Sequence, residues 1–143
     1  MNLSTKKLFV YGSLRSGFRN PAYDYITSYF HLLGEAVVRG RLYDRGDSPV
    51  AIADEGEYFI TGELYELKDE SQFEWVFEQL DDYEGLNVET GETPLYKREL
   101  AKIYQDKEPI SAWIYWYNLS VSGFPTLEIG DILKYLQEKN KPK

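Results

Sequence analysis

Two short segments of this 143-residue chain hold groups able to do chemistry. The first is "LFVYGSLRSG", Leu8 to Gly17, an apolar strand that runs straight into small residues. Consecutive backbone N–H groups at Gly12, Ser13 and Leu14, unpaired beyond a strand end, can form a concavity that binds an anion. The alternative is a plain turn that only reverses the chain, which is the commoner use of such residues. A P-loop is excluded in detail, because Phe18 and Arg19 stand where it needs Lys and Ser or Thr. The dinucleotide fingerprint fails as well, since Asn20-Pro21 opens the next helix too late for a third glycine.

The second segment is the end of "DESQFEWVFEQLDDYEG". Phe73, Val76, Phe77 and Leu80 recur at helical spacing, and the same stripe continues to Tyr83 and Glu84. A carboxylate therefore falls on the inward side, with Asp81 and Asp82 expected to point toward solvent. A helix C-terminus carries the negative end of the macrodipole, so an anion is disfavoured there. Burial and the dipole both push the Glu84 pKa upward, toward the range of a general base. The competing reading is a frayed last turn with Glu84 in water and Gly85 as the cap.

Other residues point less clearly to chemistry. His31, the only histidine, is expected on the surface of the first helix, which leaves no Ser-His-Asp triad and no zinc set. Glu63 in "TGELYEL" is a strand carboxylate, solvated or paired with an Arg. Asp81-Asp82 resembles a divalent-cation pair, but such pairs on helix surfaces are usually solvated. "AWIYWYNL" reads as core and sheet pairing, with room for one tyrosine hydroxyl to turn inward.

These groups need a scaffold. The length fits one domain over 1–143, with the tail "EKNKPK", from about residue 138, solvated and frayed. With 43% hydrophobic and 28% charged residues the chain reads as a soluble globular protein. Its net charge of -8 argues against nucleic acid, which needs clustered Lys and Arg. The absence of cysteine removes disulfides, thiolate metal sites and a Cys nucleophile. Neither an N-terminal signal segment nor a membrane span is evident, so the expected location is cytoplasmic.

Strands are expected at Lys7 to Tyr11, Val37 to Tyr43, Tyr58 to Leu67, Leu95 to Tyr104 and Ala112 to Tyr117. "NPAYDYITSYFHLLGE" has the signature of a helix capped by Asn20, started by Pro21 and ended by Gly34. Asp69 with Gln72 resembles a capping box for the second helix, and "GDILKYLQEK" reads as a short closing one. Strands outnumber helices and their connections are short. The expected class is α+β: a small mixed, mostly antiparallel β-barrel flanked by helices.

The segments "FVYGSL", "GRLYDRGDSPVA", "ITGELYEL", "LDDYEG", "LYKREL" and "AWIYWYN" come in an order that resembles the gamma-glutamylcyclotransferase-like proteins. The likeness extends to about Asp131, and the chain resembles the small branch that includes gamma-glutamylamine cyclotransferase and uncharacterised bacterial and archaeal relatives. It implies the barrel with flanking helices and a substrate loop of Tyr11, Gly12, Ser13 and Leu14. It also implies that Glu84 is the catalytic acid/base and that Tyr115 corresponds to a family tyrosine near the substrate. The implied reaction cyclises a gamma-glutamyl group to 5-oxoproline and releases an amine or amino acid, with no metal and no cofactor. The implied partner is the small gamma-glutamyl molecule alone, and the oligomeric state is open, a homodimer included. The alternatives are a related enzyme that removes gamma-glutamyl groups in a biosynthetic pathway, a non-catalytic binding module on the same barrel, and an interface protein whose aromatic strands pair between chains.

Overall fold

A computed structural model describes residues 5–11, 21–46, 49–54, 56–86, 91–106, 108–127 and 130–132, without the side chains of residues 21–23. The elements are β1 (Lys7–Val10), α1 (Pro21–Tyr29), β2 (Phe30–Asp44), β3 (Pro49–Ala53), β4 (Phe59–Leu67), a 3-10 turn (Glu70–Gln72), α2 (Phe73–Tyr83), β5 (Tyr96–Tyr104) and β6 (Pro109–Tyr117).

The strands run β3-β2-β4-β1-β6-β5, and a further pairing of β2 with β5 closes five of them into a barrel. Strand β3 lies outside that ring, against β2. All pairings are antiparallel except β1 with β6, which are parallel with Leu8 opposite Trp113. The barrel is therefore mixed and mostly antiparallel, as the short connections imply.

Period-2 alternation sorts the side chains. On β2 the buried positions Ala36, Val38 and Leu42 point into the barrel, as do Ile60 and Leu64 of β4 and Ala112, Ile114 and Trp116 of β6. Neighbouring positions face the helices instead. Leu8 and Val10 of β1 and Tyr65 and Leu67 of β4 pack with Ile26, Phe30, Val76, Phe77 and Leu80. Burying each such Leu, Ile or Phe contributes about 1.5–3 kcal/mol relative to leaving it exposed. Gly62 is what lets β1 sit so close to β4. A Cβ there would strike the Val10 carbonyl and lie 2.6 Å from Cζ of Phe9.

Three local expectations differ from the structure. The first helix stops at Tyr29, and Phe30 to Leu33 belong to β2, paired with β4 from Phe30 opposite Leu67 onward. Leu32 and Leu33 keep helical spacing in the sequence but lie exposed on the strand, so pairing with β4 overrides the periodicity. Gly34, expected to cap the helix, follows a bulge in β2 with φ of +130°. Asp69 caps the 3-10 turn through the Ser71 N–H rather than forming a box with Gln72. The closing helix falls almost wholly outside the described residues; Ile132, at its start, packs into the barrel core.

Candidate functional site

Helix α2 ends in a tight, well-bonded turn. Glu84 is its C-cap, one residue past Tyr83, and the Gly85 N–H donates to the Asp82 carbonyl at 3.1 Å. The Leu86 N–H donates to the Asp81 carbonyl at 2.9 Å, and Leu86 packs on the helix-side core. This is a Schellman end, and it requires the left-handed φ of +78° that Gly85 adopts. The same turn fixes the direction of Glu84. Half-buried there, its carboxyl is pushed from the ordinary 4.5 up to about 7 by desolvation. The inward position and the glycine cap, two competing readings of the sequence, coexist.

Tyr115 lies on β6 directly opposite Arg98 of β5, so the two side chains leave the same face of the sheet. Both meet Asp81. The Tyr115 hydroxyl donates to Oδ1 of Asp81 at 2.7 Å, while Arg98 donates from Nε to Oδ1 at 2.7 Å and from a terminal nitrogen to Oδ2 at 3.1 Å. The Arg98 guanidinium also stacks 4.5 Å over Trp113 and 5.2 Å from the centre of the Phe77 ring. Burial holds the Tyr115 phenol above its ordinary value; the hydrogen bond and charge of Asp81 add to this, Arg98 opposes it, and Glu84 raises it further.

Tyr11 follows β1, buried among the barrel residues, and its hydroxyl donates to the backbone carbonyl of Tyr115. Its phenol is raised by burial first, then by Tyr96 and by Glu84. The electrostatic reach of Glu84 therefore covers both tyrosines. Of the residues singled out from sequence, Tyr11 and Tyr115 are joined by this hydrogen bond, and Glu84 is linked to both through its charge. Gly12, Ser13 and Leu14 lie outside the described residues.

Asp81 corrects the sequence reading, which turned it toward solvent. It continues the Phe73–Phe77 rail by one helical turn, as Glu84 continues the Val76–Leu80 rail. That second rail was the signal that pointed to Asp81. Arg98 carried no such signal, because only the β5–β6 register brings it to Asp81. His31 is exposed on β2, and Glu63 accepts a hydrogen bond from the Tyr65 hydroxyl at 3.0 Å. Among the described residues no group of His, Cys, Asp and Glu is placed to hold a metal ion. No helix among them is long and apolar enough to cross a membrane.

Residues 8–134 match the family described as gamma-glutamyl cyclotransferase, AIG2-like. No functionally curated protein matches the sequence. The fold is similar to that of YkqA from Bacillus subtilis, with a TM-score of 0.68 and 25% identity; the match covers 96% of this chain but 44% of YkqA, so the chain spans less than half of that protein. It is also similar to ytfP from Escherichia coli, at a TM-score of 0.58 and 28% identity over 90% of this chain and 97% of that one. A structure described as a gamma-glutamyl cyclotransferase shares the fold alone, at a TM-score of 0.50 and 13% identity over 86% of this chain and 70% of that one.

Proposed function

The chain belongs to the gamma-glutamyl cyclotransferase, AIG2-like family, and on that premise we propose that it cyclises a gamma-glutamyl group to 5-oxoproline and releases an amine or amino acid. The observation that carries this reading is the Glu84 carboxyl, half-buried at the end of α2, its pKa pushed up to about 7 by desolvation and its charge felt by the Tyr11 and Tyr115 phenols. A group titrating there is a competent base and a competent acid at neutral pH.

The steps balance without water or a co-reactant. Glu84 takes a proton from the substrate α-ammonium, and the freed amine attacks the side-chain carbonyl. A carbon–nitrogen bond forms and closes the five-membered ring. The original amide carbon–nitrogen bond then breaks as Glu84 gives its proton to the leaving nitrogen. The carboxylate so regenerated takes the second proton from the ring nitrogen and passes it to the departing amine, which leaves as an ammonium. Because the nucleophile is tethered to its target, the protein mainly has to fold the substrate into the closing geometry. In this reading the loop from Tyr11 to Leu14 holds the substrate, with its amides on the α-carboxylate or the developing oxyanion.

The test is chromatographic detection of 5-oxoproline after incubating the purified protein with a panel of gamma-glutamyl amines and dipeptides. Stoichiometric release of 5-oxoproline and amine is expected. Binding without turnover across the panel would leave a ligand module in place of an enzyme.

A further inference from the structure

Asp81 is tied from two directions. Its carbonyl accepts from the Leu86 N–H at 2.9 Å and closes the turn that contains Glu84. Its carboxylate leaves the helix for the sheet, accepting twice from Arg98 of β5 and once from the Tyr115 hydroxyl of β6. Along the middle of α2 the contact with the sheet is apolar, with Val76, Phe77 and Leu80 in one cluster with Leu8, Val10 and Tyr65. Apolar packing has no direction, so it sets a separation rather than an alignment. A two-point bond between guanidinium and carboxylate sets both. The Phe77 and Trp113 rings flank the Arg98 guanidinium and hold its plane.

Tyr115 serves both ends of this arrangement. Its hydroxyl holds the end of α2, and its backbone carbonyl accepts from the Tyr11 hydroxyl at the exit of β1. Only 4% of the residue is exposed, and its phenolic proton is committed to Asp81. One residue of β6 thus joins the exit of the first strand to the helix end that carries the carboxyl.

We infer that Asp81, Arg98 and Tyr115 are positioning residues, which pin the last turn of α2 to β5 and β6 and so hold Glu84 in one place relative to Tyr11. None of the three touches substrate. The effect of the pin on turnover rests on the acid/base role proposed for Glu84, whereas its effect on where that carboxyl sits does not. Asp81 and Asp82 of the helix, Tyr11, Arg98 and Tyr115 are the titratable groups of this seam.

Tyr115→Phe is the cleanest probe, because it removes one bond of the pin and no charge. In folded protein kcat should fall about tenfold in Tyr115→Phe and about 100-fold in Asp81→Ala, the cost of a misplacement on the order of 1 Å, with KM changing less. Asp81→Asn keeps an oxygen for Arg98 and should recover part of the loss. The carboxyl itself is followed without substrate by carbon-13 NMR titration, its signal assigned by its absence in Glu84→Gln. It should titrate near 7 in the native protein and lower in Tyr115→Phe, where a loosened turn lets water reach it. A lower urea midpoint with kcat and titration unmoved would leave a stabilising role alone and overturn the pin. So would a rise confined to KM, or a loss of kcat with an unmoved titration, which would put the Tyr115 hydroxyl on the substrate itself. Should Asp81→Ala fail to fold, Tyr115→Phe carries the same test. A titration that moves in a protein releasing no 5-oxoproline would uphold the pin and sink the reaction.

Discussion

The two faces of β6 are built from alternate residues and do opposite work. Ala112, Ile114 and Trp116 point into a barrel interior of apolar side chains, closed all round by strand pairing. One residue along, Trp113 and Tyr115 face α2, in a layer that also holds Arg98, Asp81 and Glu84. The barrel side is almost wholly apolar, and the Tyr11 hydroxyl within it is bonded to a backbone carbonyl. The helix side accepts a desolvated carboxyl and a three-member polar cluster, both of which disfavour folding unless partnered. A single strand thus separates an almost wholly apolar interior from a layer that holds charged groups.

That separation can be broken from either side. The largest effect is expected inside the barrel, where Leu64 is fully buried. Leu64→Ala should lower stability by about 2–5 kcal/mol, with turnover per folded molecule unchanged. Urea unfolding paired with active-site titration measures both; a large loss of specific activity in folded protein would show that the two faces are not independent.

Glu84→Gln should do the reverse, with turnover falling at least ~100-fold while the fold persists. Its stability should also change in a pH-dependent way. The folded-state value, about 7, lies above the ordinary 4.5, so folding favours the protonated form. Stability is then greatest below about 4.5 and declines as pH rises through 7. At about pH 8 the native protein carries a penalty of roughly 3 kcal/mol at most that the Gln variant lacks. The variant should melt later than the native protein in alkaline buffer and no later in acid, and an identical Tm difference at both ends contradicts the burial of Glu84. The acidic limb of kcat/KM should likewise fall near 7, well above that of an ordinary carboxylate.

Arg98→Lys sharpens the comparison further. Lysine replaces a planar two-point grip with a single point charge and loses the stack on Trp113. About 1–3 kcal/mol of stability should be lost, with kcat falling more than KM rises. Steady-state kinetics on folded variant protein checks the split, and a rise confined to KM speaks against a positioning role for this cluster. The smallest effect belongs to the other end of the helix layer, where Lys6 and Glu70 pair at 3.3 Å in solvent. Glu70→Ala should change stability by less than about 1 kcal/mol, read as a shift in the urea midpoint. A larger change would mean that this end, too, carries weight.

How much of this was legible in the sequence depended on whether the deciding contact was local. The strand segments, their short connections and the family segments gave the barrel, because each is written into a few neighbouring residues. The exit from α1 was not legible, since Leu32 and Leu33 continue a helical spacing and only pairing with β4 converts them to strand. Strand β3 was missed for the same reason: five residues between turns become a strand by lying against β2. At the site, Glu84 was visible as the next step beyond Val76 and Leu80. Asp81 was one rail away and looked solvated until β5 and β6, distant in sequence, supplied Arg98 and Tyr115.

The parallel pairing of β1 with β6 also bears on how the molecule is made. Its Tyr11–Tyr115 hydrogen bond joins residues 104 positions apart, the most distant of the contacts that build the site. Bringing such distant segments together carries a large loop-closure entropy, so this seam is expected to form late in folding. During synthesis the first strand must wait, one edge unpaired, until nearly all of the chain has emerged, a period in which it is open to aggregation. Partly folded chains would have β2 through β4 in place and no site. In refolding experiments, release of 5-oxoproline should return with the slowest phase rather than with the first gain of sheet signal; activity that returns early would place the seam's closure ahead of the hairpins.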